Sequence, residues 1–129
     1  MSESGSRSLR LTKLDAHDWA SEALLCVSCG EEVTGDGARI NVAGAHRHDF
    51  FNPQRVHYAI ACFAPADGCR TVGEQTDRFT WFAGYAWTIA LCRRCGTHLG
   101  WRFVSAGGGH CFFGLIESRL VRLGQGRAN

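Results

Sequence analysis

The sequence predicts an all-β domain of short strands, clamped by a metal ion. Three observations carry this. Apolar runs are brief and several alternate with a period of two, the pattern of half-buried strands. Prolines are few, at 2, while 16 glycines supply turns, and no long amphipathic helical pattern is visible. The unit Cys-x-x-Cys-Gly occurs twice, at Cys26–Gly30 and Cys92–Gly96.

Residues 1 to 22 read as a polar lead-in with a short helix around Asp15–Ala23, from which Trp19 is available to dock on the body. The domain proper is expected over residues 23–125. Leu24–Val27 is read as a strand feeding the first cysteine pair, followed by polar turn residues to Gly37 and a short strand Ala38–Val42. Gly44–Pro53, rich in histidine and turn formers, is expected to be a loop. Val56, Tyr58, Ile60 and Cys62 alternate against their neighbours, so Val56–Phe63 is a half-buried strand. Turns then surround a short strand at Cys69–Val72, and Arg78–Phe82 and Tyr85–Leu91 read as strands broken at Gly84. Leu99–Val104 and Cys111–Ile116 form a hairpin across Ser105–His110, where three consecutive glycines permit any turn. Ser118–Leu123 is a terminal strand or a helical turn.

Composition excludes several functions. The net charge of +2 is near balance, and the basic residues, nearly all arginine, are scattered. Neither a nucleic-acid stripe nor a polybasic membrane patch results. No apolar run approaches a membrane span and no signal-peptide hydrophobic stretch opens the chain, so a cytoplasmic protein is expected. In a reducing compartment 7 cysteines, an odd number, point to metal ligation rather than disulfides.

Two residues between thiols let both sulfurs of a tight turn face one ion, and the following glycine lets backbone N–H groups turn toward them. Cys26, Cys29, Cys92 and Cys95 therefore form a closed, structural zinc site with no position left for a catalytic water. The 62 residues between Cys29 and Cys92 mean that the ion ties an early hairpin to a late one. Cys62, Cys69 and Cys111 read as small buried hydrophobes, His46 and His48 as loop histidines, and His57 and His98 as packing residues.

Trp81, Trp87 and Trp101 fall within 21 positions around the second cysteine pair. Trp101 shares a strand face with Phe103, and Trp87 with Tyr85, by the two-residue repeat. Three indoles bring three N–H donors that need partners, a poor way to fill a small core. An aromatic cage suits a flat neutral ring or a cation, with Glu74 and Asp77 near enough in sequence to assist the latter.

WFAGYAWTIALCRRCGTHLGWRF, followed by CFFGLI, closely resembles the CULT domain family, the thalidomide-binding domain of cereblon and its bacterial single-domain relatives. The resemblance runs from about Leu24 to Leu123 and includes both cysteine pairs. It implies a β-tent fold, two antiparallel sheets pinned by one zinc, and a pocket for cyclic imides: glutarimide, thalidomide-type ligands and C-terminal cyclic imides of damaged proteins. Position by position, it implies Trp81, Trp87 and Trp101 as cage walls, Phe103 at the base and Asn52 as a ligand contact. It also implies that the strand Phe79-Thr80-Trp81 gives main-chain hydrogen bonds to the imide edge. Phe79 departs from the vertebrate pattern, which has histidine there, so a side-chain hydrogen bond is not expected. The Lon-like domain and ubiquitin-ligase-recruiting segment of the eukaryotic protein have no counterpart in this length, and a monomeric binding module without enzymatic activity is expected.

Three other readings stay open, one of them a purely structural zinc module that binds no ligand. Cys95-Gly96-Thr97-His98-Leu99-Gly100 and the later Cys111 resemble methionine sulfoxide reductase B, although the arginine and asparagine flanking that family's catalytic cysteine are missing around Cys111. A reader of methyl-lysine or another quaternary ammonium would use the same indole faces.

Overall fold

The computed structural model describes residues 23–122. The expected N-terminal helix and the docking of Trp19 lie outside the described residues. Nine strands follow in order: β1 (Ala23–Cys26), β2 (Glu32–Gly35), β3 (Arg47–Phe51), β4 (His57–Phe63), β5 (Cys69–Thr76), β6 (Tyr85–Cys92), β7 (His98–Ser105), β8 (Cys111–Ile116) and β9 (Leu120–Arg122). They make two antiparallel sheets, one of three strands ordered β2-β1-β9 and one of six ordered β3-β4-β8-β7-β6-β5. The all-β class is as expected from the sequence.

Alternation divides the large sheet into two faces with different tasks. Ala61 and Phe63 of β4, Cys92 of β6, Leu99 of β7 and Leu115 of β8 pack with Leu24, Cys26 and Val33 of the small sheet. The intervening residues Ile60, Cys62, Phe103, Phe112 and Ile116 build a second core with Phe82, bordered by Trp81, Trp87 and Trp101. One face thus joins the sheets and the other carries the aromatic residues. Asp36, after β2, accepts hydrogen bonds from Arg122 of β9, which holds the Asp36 carboxyl below its ordinary pKa.

Four expected elements are corrected. Gly44–Pro53 contains strand β3, because Arg47, Asp49 and Phe51 face out while His48 and Phe50 face in; the period of two is present but written in histidine. Ala38–Val42 is not a strand: a 3-10 turn spans Asp36–Ala38, after which Arg39 and Val42 make only isolated bridges. Glu32–Gly35, read as turn, is β2. Arg78–Phe82 is a loop whose Thr80 N–H donates to the Asp77 carbonyl over 3.2 Å. At the C-terminal end, the alternatives both occur, a 3-10 turn at Glu117–Arg119 and then β9, with Leu123 outside the described residues.

Candidate functional site

The four cysteines Cys26, Cys29, Cys92 and Cys95 converge, their sulfurs all within 4.8 Å of one another. Cys26 and Cys95 are 3.7 Å apart and Cys29 and Cys92 3.6 Å. Sulfurs bound about 2.3 Å from one tetrahedral ion would stand about 3.8 Å apart, so the donor set fits a metal such as zinc. The two turns are built alike. Gly30 N–H donates to the Cys26 carbonyl and Gly96 N–H to that of Cys92, while the N–H groups of Cys26 and Cys92 donate to Glu31 and Thr97. Both glycines have positive φ, 80° and 82°, which a side chain would resist. Against a lowering backbone hydrogen bond at Glu31, burial and the neighbouring thiols push Cys29 up to about 12. Hydrogen bonds from the hydroxyl and backbone of Thr97 bring Cys95 down to about 6. Four thiols this close ionise together only around a cation.

Cys62 and Cys69 lie outside that set, and burial pushes each thiol up to about 12. His46 and His48 are bound to main-chain carbonyls, His46 to Ile40 and His48 to Val42 and Ala45. They hold the Ile40–Ala45 turn against β3.

On the other face of the large sheet lies a hollow of about 360 Å³. Trp81, Trp87 and Trp101 all line it, together with Asn52, Pro53, Gln54, Tyr58, Phe79, Ile89, His98 and Phe103. Trp87 is paired with Phe103 and Ile89 with Trp101 across β6 and β7, so this part of the wall is one patch of a single strand pair. Trp81 comes from the Asp77–Gly84 loop and meets Trp101 edge-on, with centroids 4.8 Å apart at 74°. Phe50 of β3 stacks behind Trp81 at 4.8 Å and 11°. Of the indole donors, Trp81 Nε1–H binds the Phe51 carbonyl at 3.1 Å and Trp87 Nε1–H the Arg78 carbonyl at 2.8 Å. Each bond ties a loop to the sheet. Asn52 Oδ1 accepts from Val56 N–H at 2.8 Å, which closes its own loop and leaves the amide NH₂ as what it has to offer a guest.

Thr80 is the one residue of the expected set that does not line the hollow; its hydroxyl bonds the Phe82 carbonyl at 3.3 Å instead. The expected strand Phe79-Thr80-Trp81 is a turn, with Phe79 at φ 58°. That third turn position ordinarily takes glycine or asparagine, and an L-residue there costs roughly 1–2 kcal/mol. Phe79 is also 65% exposed, so packing does not offset that cost.

His98, read as a packing residue, lines the hollow and stands edge-on to Trp101 at 4.9 Å. Strand alternation would put positions 98 and 101 on opposite faces. A bulge solves this: Ala90 pairs with Gly100 but Leu91 pairs with His98, so Leu99 is the extra residue. His98 Nε2–H donates to the Gly100 carbonyl at 3.0 Å, which leaves Nδ1 as the acceptor. Burial first, then Arg119, lowers the His98 pKa, and the ring is neutral near pH 7. Because the folded value lies below the unfolded one of about 6.5, its contribution to stability is fully present above that pH and falls as pH drops toward the folded value. A histidine NMR titration should therefore place the His98 midpoint below 6.5; a midpoint above it would contradict the burial argument.

No family model matches the chain. Among curated proteins, it is 44% identical to cereblon of Gallus gallus over 75 residues, 56% of this chain and 17% of that protein. It is 35% identical to cereblon of Xenopus tropicalis over 74 residues, 55% of this chain and 17% of the relative. With cereblon of Drosophila melanogaster the figures are 43% over 56 residues, 41% and 9%. The matched stretch is thus a minor part of each relative, and about half of this chain. Over that half the chain is similar to cereblon, and its sheets, cysteine cluster and aromatic hollow are consistent with a cereblon-like CULT domain.

Proposed function

We propose that this domain is a zinc-stabilised binding module that captures cyclic imides, either small glutarimides or the C-terminal cyclic imides of damaged proteins. The observation that carries the reading is the chemistry of the hollow. Three indoles and Phe103 offer flat apolar walls, and among the described residues no carboxylate lines it. Glu74 and Asp77 stand outside it. A cationic guest would want a negative group, whereas a neutral ring loses nothing by its absence. An imide ring offers methylenes to the indoles, worth about 0.8 kcal/mol each on burial, and a polar edge to the main chain. The Phe79 carbonyl and Trp81 N–H are the groups we assign to that edge.

The reductase alternative fares less well. Cys111 does not line the hollow, and its neighbour Phe112 packs in the aromatic core, so alternation turns Cys111 the other way. Among the described residues no helix is long and apolar enough to cross a membrane; we assign the module to a reducing, cytoplasmic setting because its cysteines suit metal better than disulfides.

Titrating tryptophan fluorescence with glutarimide tests the proposal. A saturable change in the micromolar range is expected, weakened at least tenfold in Trp87→Ala. Trimethyl-lysine and a methionine sulfoxide peptide serve as rival guests. No response to glutarimide, or tighter binding of trimethyl-lysine, would overturn the reading.

A further inference from the structure

Three cysteines lie outside the metal cluster, and one of them is placed unlike the others. Across the strand pairs Cys62 stands opposite Gly114 and Cys111 opposite Val104, but Cys69 stands opposite Cys92. Cys92 belongs to the cluster and ends β6, while Cys69 begins β5, the edge strand beside it.

The hydrogen bonds fix what kind of pair this is. Cys92 N–H donates to the Thr97 carbonyl and Cys69 N–H to that of Ala66, so neither reaches the other's carbonyl. The flanking bond runs instead from Arg93 N–H to the Gly68 carbonyl at 2.8 Å. That is the pattern of a non-hydrogen-bonded antiparallel pair, in which opposite Cα atoms stand about 4.5 Å apart and side chains come closest. Opposite residues also share a face, and Cys69 packs against the core cluster that contains Cys92, between the sheets. A disulfide needs Cα atoms about 4.4–6.8 Å apart. The register alone therefore brings Cys69 within bonding reach of a residue of the metal cluster.

We propose that Cys69 and Cys92 are an oxidation site: under peroxide they join as a cross-strand disulfide, which takes Cys92 from the donor set and releases the metal. A transient disulfide suits a reducing compartment, where such bonds serve sensing rather than structure. The chemistry balances with a hydroperoxide as oxidant. With metal bound the four sulfurs are thiolates, and of them Cys95 is the exposed one. Its sulfur breaks the O–O bond, keeping one oxygen as sulfenate while the other leaves as an alcohol, or as water from hydrogen peroxide. The Cys92 thiolate displaces the sulfenate oxygen, which leaves as water with two protons from solvent, and a Cys92–Cys95 bond forms. The Cys69 thiol then displaces Cys95, whose sulfur takes the Cys69 proton. Two electrons have passed from Cys69 and Cys92 to the peroxide, and Cys95 is a thiol again.

The test treats the zinc-loaded protein with hydrogen peroxide, follows zinc release with a colorimetric chelator and maps the alkylated, trypsin-cut product by mass spectrometry. Cleavage after Arg93 and Arg94 separates Cys92 from Cys95, and a Cys62→Ser background removes the second thiol of the Cys69 peptide. A Cys69–Cys92 crosslink is expected, growing in step with the zinc released, and dithiothreitol with added zinc should reverse both. In Cys69→Ala that crosslink should be lost and the bond should stop at Cys92–Cys95; the map of the protein that keeps Cys69 does not depend on how this variant folds. Crosslinks confined to Cys26, Cys29, Cys92 and Cys95 while Cys69 is present would overturn the inference. So would sulfinic acid without any disulfide, or zinc retained while Cys69–Cys92 forms.

Discussion

Removing the metal with a strong chelator is expected to unfold the protein, with loss of the cooperative thermal transition and of near-ultraviolet circular dichroism, both restored by zinc. The reason lies in where the ligands sit. Cys26 ends β1 of the small sheet and Cys92 ends β6 of the large one, with Cys29 and Cys95 in the turns that follow. The small sheet consists of strands of 4, 4 and 3 residues, too little to stand alone. Structural zinc contributes on the order of 10 kcal/mol in small zinc peptides, comparable with the entire stability of a typical domain, about 5–15 kcal/mol. Cys92→Ser should behave like the chelated protein. Cys62→Ser, at a fully buried position away from the cluster, should cost only a few kcal/mol or less. An unchanged melting curve in the chelated sample would show that the cluster is not the clamp between the sheets.

Gly100→Ala is expected to destabilise by about 3 kcal/mol or more, at the upper end for overpacking, and to weaken ligand binding at the same time. A Cβ at Gly100 would stand 2.1 Å from the Gly114 carbonyl oxygen and 2.9 Å from Leu115 Cα. Both are backbone, so neither can rotate away. β7 and β8 would have to separate in the middle of the large sheet, beside the bulge that sets His98 and Trp101 on one face. Gly109→Ala, with nothing near the added methyl, is the matched control. Thermal melts of the two variants, with glutarimide titration of each, check this; equal melting temperatures would refute it.

How much of this was legible in the sequence depended on whether the signal was local. The cysteine turns are complete within five residues each, so their geometry follows from spacing, and the doubling of the unit is what implies one shared ion. The pairing of Trp87 with Phe103 and of Ile89 with Trp101 follows from strand alternation once β6 and β7 are neighbours. His98 escaped because the bulge at Leu99 breaks that alternation, and only Gly100, small enough for the close approach to Gly114, hints at it. Strand β3 was hidden because its inward residues, His48 and Phe50, sit among polar neighbours that resemble loop composition. The Arg78–Phe82 segment failed in the opposite sense. Its aromatics suggest a strand, yet Phe82 turns inward to meet Phe103 and Phe112 edge-on while Phe79 turns to solvent. Tertiary packing, not local pattern, decides that.

The bonds from Trp81 to the Phe51 carbonyl and from Trp87 to the Arg78 carbonyl have a wider consequence. Each indole serves as a strut, adding a fixed point between a connecting loop and the rigid body of the protein. A guest of the kind proposed would thus meet a socket already shaped during folding. Little conformational freedom is left to surrender on capture, and more of each weak contact survives as affinity.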